Sequence, residues 1–143
     1  MLKNHLIYTS HLGVYGIISN NCKILLIKKN RGPYKGLLDL PGGSLKFNES
    51  LEEALEREIK EETGCNITSF EQKRSFTTFF NYKENNNFYC LRHIAIIYKI
   101  TIKGEVKYYG DGKDSDGCIQ IDMKSIINAK VSPLVTEAVN LII

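Results

Sequence analysis

The sequence predicts an α/β fold in which helices cover both faces of a β-sheet. Three features carry this. Residues 12–19 and 22–28 are β-branched runs that are apolar on both faces, as strands covered on each side are. Residues 51–63 show the 3.6-residue apolar period of an amphipathic helix. Residues 68–82 and 88–102 then form two long strand patterns. A chain of 143 residues, 43% hydrophobic and 24% charged, matches one soluble globular domain over 1–143 with a real core. No apolar run approaches the ~20 residues that cross a bilayer, and residues 1–12 lack the apolar core of a signal peptide. The expected location is the cytoplasm, with no membrane partner.

Taken in order, the first two strands are separated by Asn20-Asn21, which predicts a hairpin because Asn accepts the positive φ of a tight turn. Residues 28–36 form a loop by their Gly and Pro content. That loop holds four positive charges and Tyr34, expected to be exposed. Arg31 and Lys35 are candidates for phosphate contact and Tyr34 for base stacking; the alternative is solvated loop charge. Gly42-Gly43 lets the backbone approach a ligand closely. After the helix, the strand pair 68–82 and 88–102 turns at residues 83–87. Ile94 to Tyr98, apolar on both faces, predicts a middle strand, and His93 at its start is a packed strand histidine. Phe79, Phe80 and Tyr82 are core or sheet-edge residues, one of which could meet a base. Residues 109–117 form an acidic, glycine-rich loop, 118–122 a further strand, and Ser132-Pro133 starts a closing helix with a cap and a proline at its first position.

The helix carries the chemistry. Ser50 and Glu53 form a capping box, and Gly64 suits the left-handed residue that ends a helix. Leu51, Ala54, Leu55 and Ile59 make the apolar stripe, while Glu52, Glu53, Glu56 and Lys60 fall opposite. Glu58 and Glu62 lie within the angular range of the stripe, with Glu61 beside it. Like charges three and four positions apart cost roughly 0.2–0.5 kcal/mol per pair even when exposed. Partial burial raises that cost, since a carboxylate losing water must protonate or find a partner. Arg57 alone cannot neutralise three acids. A hard divalent cation such as Mg²⁺ or Mn²⁺, bound through oxygen, can. The alternative is a frayed, solvated helix end.

From Gly43 the chain runs through Glu49 to Arg57-Glu58-Ile59, Glu61-Glu62 and Gly64, after Leu40-Pro41-Gly42-Gly43. This resembles the Nudix box, the signature of the Nudix hydrolase family. Every charged and glycine position is matched; Cys65 departs where the family usually has an aliphatic residue, and cysteine substitutes as a small hydrophobe. The box spans 23 of 143 residues. The resemblance implies an α/β/α sandwich with a mixed β-sheet, a Nudix-like fold. It implies metal ligation by the Gly42 carbonyl with Glu58, Glu61 and Glu62, and makes Glu49 and Arg57 a structural pair. It also implies a further carboxylate from the acidic loop, with Asp114 chosen and Asp111 and Asp116 close behind; the alternative is a plain solvated turn. The implied reaction is Mg²⁺-dependent hydrolysis of a pyrophosphate bond in a nucleoside diphosphate linked to another group. Glu58, Glu61 and Asp114 are the catalytic candidates, with Asp114 or Glu58 as the base. Rival readings are an inactive nucleotide-sensing module and a Nudix-like enzyme acting on a non-nucleotide diphosphate.

Charge distribution supports a small anionic substrate. Residues 49–62 carry a local balance of −5 within a net +3, leaving +8 elsewhere. A basic body around an acidic pocket attracts a polyanion. No stable nucleic-acid partner is expected, since 143 residues leave little room for a long basic groove; a homodimer is possible. The cysteines Cys22, Cys65, Cys90 and Cys118 show no metal-ligand spacing and are expected to be reduced and mostly buried.

Overall fold

The computed structural model describes residues 5–110 and 115–142. Two sheets form, and the long first strand feeds both. Strand β1 (Leu6–Ile17) pairs in parallel with β7 (Asn87–Lys103) from Leu6↔Phe88 to Ile17↔Lys99. On its other edge β1 takes the short antiparallel β5 (Gly42–Ser44), and β7 takes antiparallel β6 (Asn66–Glu84), giving the order β5-β1-β7-β6. Ile94 to Tyr98 therefore lies in a middle strand, as the two-faced apolar pattern requires. In the second sheet β3 (Lys23–Lys29) is central. It pairs antiparallel with β8 (Ser115–Asp122), β2 (Ser19–Asn20) and β4 (Leu38–Asp39).

The expected strand over 12–19 divides. It begins six residues earlier, at Leu6, where β7 supplies a partner, and breaks at Ile18, beyond which β2 belongs to the other sheet. The tight turn also falls one residue later than Asn20-Asn21. Asn21 and Cys22 hold the positive φ values, 49° and 65°. Asparagine does take the same role at the other hairpin, where Asn85 and Asn86 sit at 50° and 65° between Glu84 and its partner Asn87.

Helix α1 (Leu51–Thr63) starts and stops as its sequence dictates. Glu53 N donates to Ser50 Oγ at 3.2 Å, and Ser50 N donates back to Glu53 Oε1 at 3.0 Å. Gly64 closes it at φ 80°. Its buried stripe, Ala54, Leu55 and Ile59, packs on Val14, Tyr98 and Ile100 of the first sheet. The opposite face of that sheet presents Tyr15, Ile17, Ala95 and Ile97 to Ile24 and Leu26 of β3. Beyond them lie Leu134, Val135, Ala138 and Val139 of α2 (Pro133–Ile142). Alternation along β1 and β7 thus sends one set of side chains to α1 and the other to the second sheet and α2. No helix among the described residues is long and apolar enough to cross a membrane.

Ile59 is fully buried between α1 and the first sheet. Ile59→Ala is expected to lower unfolding free energy by about 2–5 kcal/mol, read from urea midpoints. A loss below about 1 kcal/mol would show that this face is not close-packed.

Candidate active site

The site is assembled where β5 meets α1. Gly42 and Gly43 occupy β5 against the edge of β1. Gly42 has φ 140°, and a Cβ there would lie 2.2 Å from the Val14 carbonyl oxygen. A Cβ on Gly43 would lie 2.9 Å from Glu58 Oε1. Glycine is therefore required at 42, by its φ and by the β1 backbone against it, whereas at 43 a Cβ would displace the movable end of the Glu58 side chain. The Gly42 N–H donates to Glu62 Oε1 at 2.7 Å, tying the glycine strand to the last turn of α1.

Arg57 organises the acids around it. Its Nε and Nη2 donate to Glu49 Oε2 and Oε1 at 2.7 and 2.9 Å, a two-pronged carboxylate pairing. Nη2 also donates to the Ser44 carbonyl at 2.9 Å, and Nη1 to Glu58 Oε1 at 2.9 Å. Glu61 Oε2 lies 3.5 Å from Nη1. The guanidinium holds Glu49 down at about 2. For Glu58, burial outweighs Arg57 and raises the pKa, with Glu61 adding repulsion. Glu62 is raised further, by burial first, against which the Gly42 N–H works; Glu58 and Asp39 push in the same direction as burial. Glu61 stays largely exposed.

Glu58, Glu61 and Glu62 line one wall of a cleft of about 420 Å³. Lys29 and Asp39 face them, with Tyr15, Tyr34 and His93 among the other lining residues. His93 is 2% exposed and lies between two phenols, Tyr15 Oη at 2.7 Å from Nε2 and Tyr34 Oη at 2.7 Å from Nδ1. Burial, then His11 and Lys29, lower its pKa to about 4, so the ring is neutral. Tyr34, expected exposed, is buried at 4%, with its ring stacked on His93 and edge-on to Phe80. Its place in the loop bends it inward, so it forms cleft wall and is not an open stacking platform. Arg31 does line the cleft; Lys35 does not, lying instead in a neighbouring concavity. Asp114 and Asp111 lie outside the described residues. Asp116 accepts from Asn30 Nδ2 at 3.1 Å.

Two charged cleft residues carry no role in the sequence reading. Asp39 is buried at 4%, its Oδ1 accepting from Leu40 N at 2.9 Å and Ser132 Oγ at 2.6 Å. Burial raises its pKa despite both bonds. Lys29 ends β3 and turns its charge toward Asp39, Glu58 and Glu62. The available signal for Asp39 was its position inside the apolar run Leu38-Asp39-Leu40, where a strand carries it into the interior.

The donor set suits a hard divalent cation: carboxylate oxygens sharing one cleft, two of them burdened by burial and mutual repulsion. Among the described residues no three ligand-type groups are already gathered around one point. Glu58 is drawn to Arg57, and Glu62 to the Gly42 N–H. The cysteines are free thiols; Cys65 and Cys118 are buried, Cys90 is half-buried and Cys22 is exposed at its turn.

A model of the NUDIX domain matches residues 9–116. Over 53 residues the chain is 55% identical to an ADP-ribose pyrophosphatase of Methanocaldococcus jannaschii, covering 37% of this chain and 31% of that protein. Over 68 residues it is 38% identical to an 8-oxo-dGTP diphosphatase of Buchnera aphidicola, covering 47% of this chain and 52% of that protein. The chain thus spans between about a third and a half of these relatives. Among solved structures, a MutT NUDIX hydrolase from Burkholderia pseudomallei has the same fold, with TM-score 0.76 at 21% identity over 94% of this chain and 99% of that chain.

The raised carboxyl groups make the metal-free fold sensitive to pH. Below the ordinary glutamate value of 4.5 both folded and unfolded chains hold the Glu62 proton, and folding carries no penalty. Above it the unfolded chain ionises first, so stability falls as pH rises toward the folded pKa. Glu62→Gln, which keeps an acceptor for the Gly42 N–H, is expected to raise the metal-free Tm at pH 7.5. The gain should vanish near pH 4. A Tm equal to or below wild type at pH 7.5 would contradict the burial described.

Proposed function

The chain belongs to the Nudix family, and from that premise we propose that it hydrolyses a pyrophosphate bond in a nucleoside diphosphate linked to another group. The observation that carries this is the shared cleft wall of Glu58, Glu61 and Glu62, with Gly42-Gly43 packed against two of these side chains. Members of the family generally use divalent metal ions. In this reading Mg²⁺, with Mn²⁺ as a substitute, is held by those carboxylates and the Gly42 carbonyl. When bound, the ion supplies neutralisation of phosphate charge and a more acidic attacking water.

The remaining work falls to the chain's own groups. Arg57 fixes Glu49 against the loop and holds Glu58 in position through the same guanidinium. Glu58, set where burial favours the proton, is suited to accept it from the attacking water, with Asp114 as the other candidate. Lys29 and Arg31 provide positive charge for the phosphates on the side of the cleft facing the acids. The neutral His93, fixed by two phenols, contributes a hydrogen-bonding wall that carries no charge. Tyr34 serves this wall in place of the open stacking role first assigned to it.

Which nucleotide is cleaved is not set by the glutamate helix. The relatives named above carry ADP-ribose and 8-oxo-dGTP in their names, and both compounds belong in the assay panel. Glu58→Gln and Glu62→Gln are each expected to reduce Mg²⁺-dependent turnover by at least ~10², measured as phosphate or nucleotide release across that panel. Wild-type-like rates in both variants would remove these residues from catalysis. Measurable nucleotide binding with no turnover by the wild type would favour a sensing module instead.

A further inference from the structure

We propose that Asp39 is a specificity-determining residue, whose free carboxylate oxygen accepts a hydrogen bond from an N–H on the substrate's base. The preferred substrate would then be a nucleoside diphosphate derivative whose base carries a ring imino or amino donor. This rests on the pyrophosphohydrolase reading for the phosphate half of the ligand and on a separate residue for the base half.

Asp39 lines the cleft although only 4% of it is exposed. Both hydrogen bonds that hold it, from Leu40 N and Ser132 Oγ, end on Oδ1. Among the described residues Oδ2 receives none. Nor is Oδ2 sealed into the core, for the buried side-chain atoms left without a hydrogen bond among those residues are Thr9 Oγ1 and Asn30 Oδ1. One oxygen is thus tied to the scaffold while the other opens on the cleft. A ligand that displaces water from that oxygen must bring a donor or leave an acceptor unpaired. A phosphate ionised at neutral pH brings no donor and carries charge of the same sign. The part of the substrate that lies against Asp39 is therefore uncharged and bears a donor.

The surroundings of Asp39 favour a base over a sugar. After burial, Asp39 contributes most to the raised pKa of Tyr15, ahead of Tyr34, Glu62 and Glu58, and after burial it also raises that of Tyr34. It stands beside the phenols that flank His93. There the Tyr34 ring stacks on His93 at 5.5 Å and 22°, with Phe80 edge-on to Tyr34. The phenols and the imidazole are neutral, so the wall next to Asp39 is one of uncharged rings. Such a wall beside a single strong acceptor suits a flat heterocycle with a polar edge. The acceptor is also set before binding, because Ser132 Oγ and Leu40 N fix the carboxylate, and that lowers the ordering cost of the contact.

The test titrates the 5′-diphosphates of purine riboside, inosine and guanosine calorimetrically into the full chain in metal-free buffer. On the pairing edge these bases carry no N–H donor, a ring imino, and an imino beside an amino group. The inosine and guanosine compounds are expected to bind at least ~10-fold tighter than the purine riboside compound. Asp39→Asn keeps an oxygen for Leu40 N and Ser132 Oγ but replaces the free acceptor with an amide donor. That variant should close the gap to within about twofold. If it fails to melt cooperatively, Ser132→Ala, which frees the carboxylate from its anchor, should narrow the same gap. The 2′,3′-dideoxy form of inosine diphosphate is expected to bind as inosine diphosphate does. Equal affinities across the three bases in wild type, a gap that survives Asp39→Asn, or a loss that follows the ribose hydroxyls instead overturns the assignment. Turnover of the same compounds with Mg²⁺ separates the two proposals. Hydrolysis that ignores the base donors removes the Asp39 contact alone, and donor-dependent binding without hydrolysis removes the reaction alone.

Discussion

The site depends on one guanidinium. Arg57 reaches two oxygens of Glu49, one of Glu58, the carbonyl of Ser44 and the neighbourhood of Glu61. Without it, the chain from Ser44 to Glu49 would lose the ion pair that ties it to the helix, and Glu58 and Glu61 would face one another without the guanidinium between them. Its geometry also explains an asymmetry. The same cation holds Glu49 ionised far into acid through a two-pronged hydrogen bond, yet leaves Glu58, which it meets at one oxygen and where loss of water is the larger effect, with a raised pKa. One cation thus sits between an acid whose pKa it lowers and an acid whose pKa stays raised.

The floor of the cleft is built by a different logic. A neutral imidazole donates from one nitrogen and accepts at the other. One of Tyr15 and Tyr34 therefore donates to His93 while the other accepts and retains its own O–H. The network is satisfied without any charge, which suits a wall adjoining three glutamates. Asp39 is the exception, an acid held inside by Ser132 and the Leu40 N–H. That bond ties β4 to the start of α2, with the hydroxyl of Ser132, the expected cap residue, donating to Asp39. The second sheet and the closing helix are thereby fixed to the cleft from behind.

What could be read in the sequence was what is local. The capping box, the stop at Gly64 and the rotation of the glutamates about the helix depend on spacing within one element, and spacing is visible. The middle strand at Ile94 to Tyr98 was legible for the same reason. Tyr34 was not, because a Gly- and Pro-rich loop gives no sign of which side chain turns inward; that is decided by His93, 59 residues away. Nor did the run 12–19 announce that it changes sheets at Ile18, since both segments are apolar and β-prone. Lys35 and Arg31 look equivalent in the loop, yet only Arg31 reaches the cleft. Asp39 was hidden by its setting, an acid between two leucines whose burial depends on a serine 93 positions later.

Helix α1 therefore serves two ends that pull against each other. Leu55 and Ile59 fix its rotation by burying against the sheet, and that rotation carries Glu58 and Glu62, one and three positions from Ile59, toward the cleft. The helix cannot turn to relieve the carboxylates without exposing its core residues, and burial of a Leu or Ile side chain is worth ~1.5–3 kcal/mol. Gly43, with no Cβ, leaves room for the Glu58 carboxylate, which Arg57 holds there, while the Gly42 N–H holds Glu62. Packing on one flank and these hydrogen bonds on the other keep the acids where burial opposes their charge.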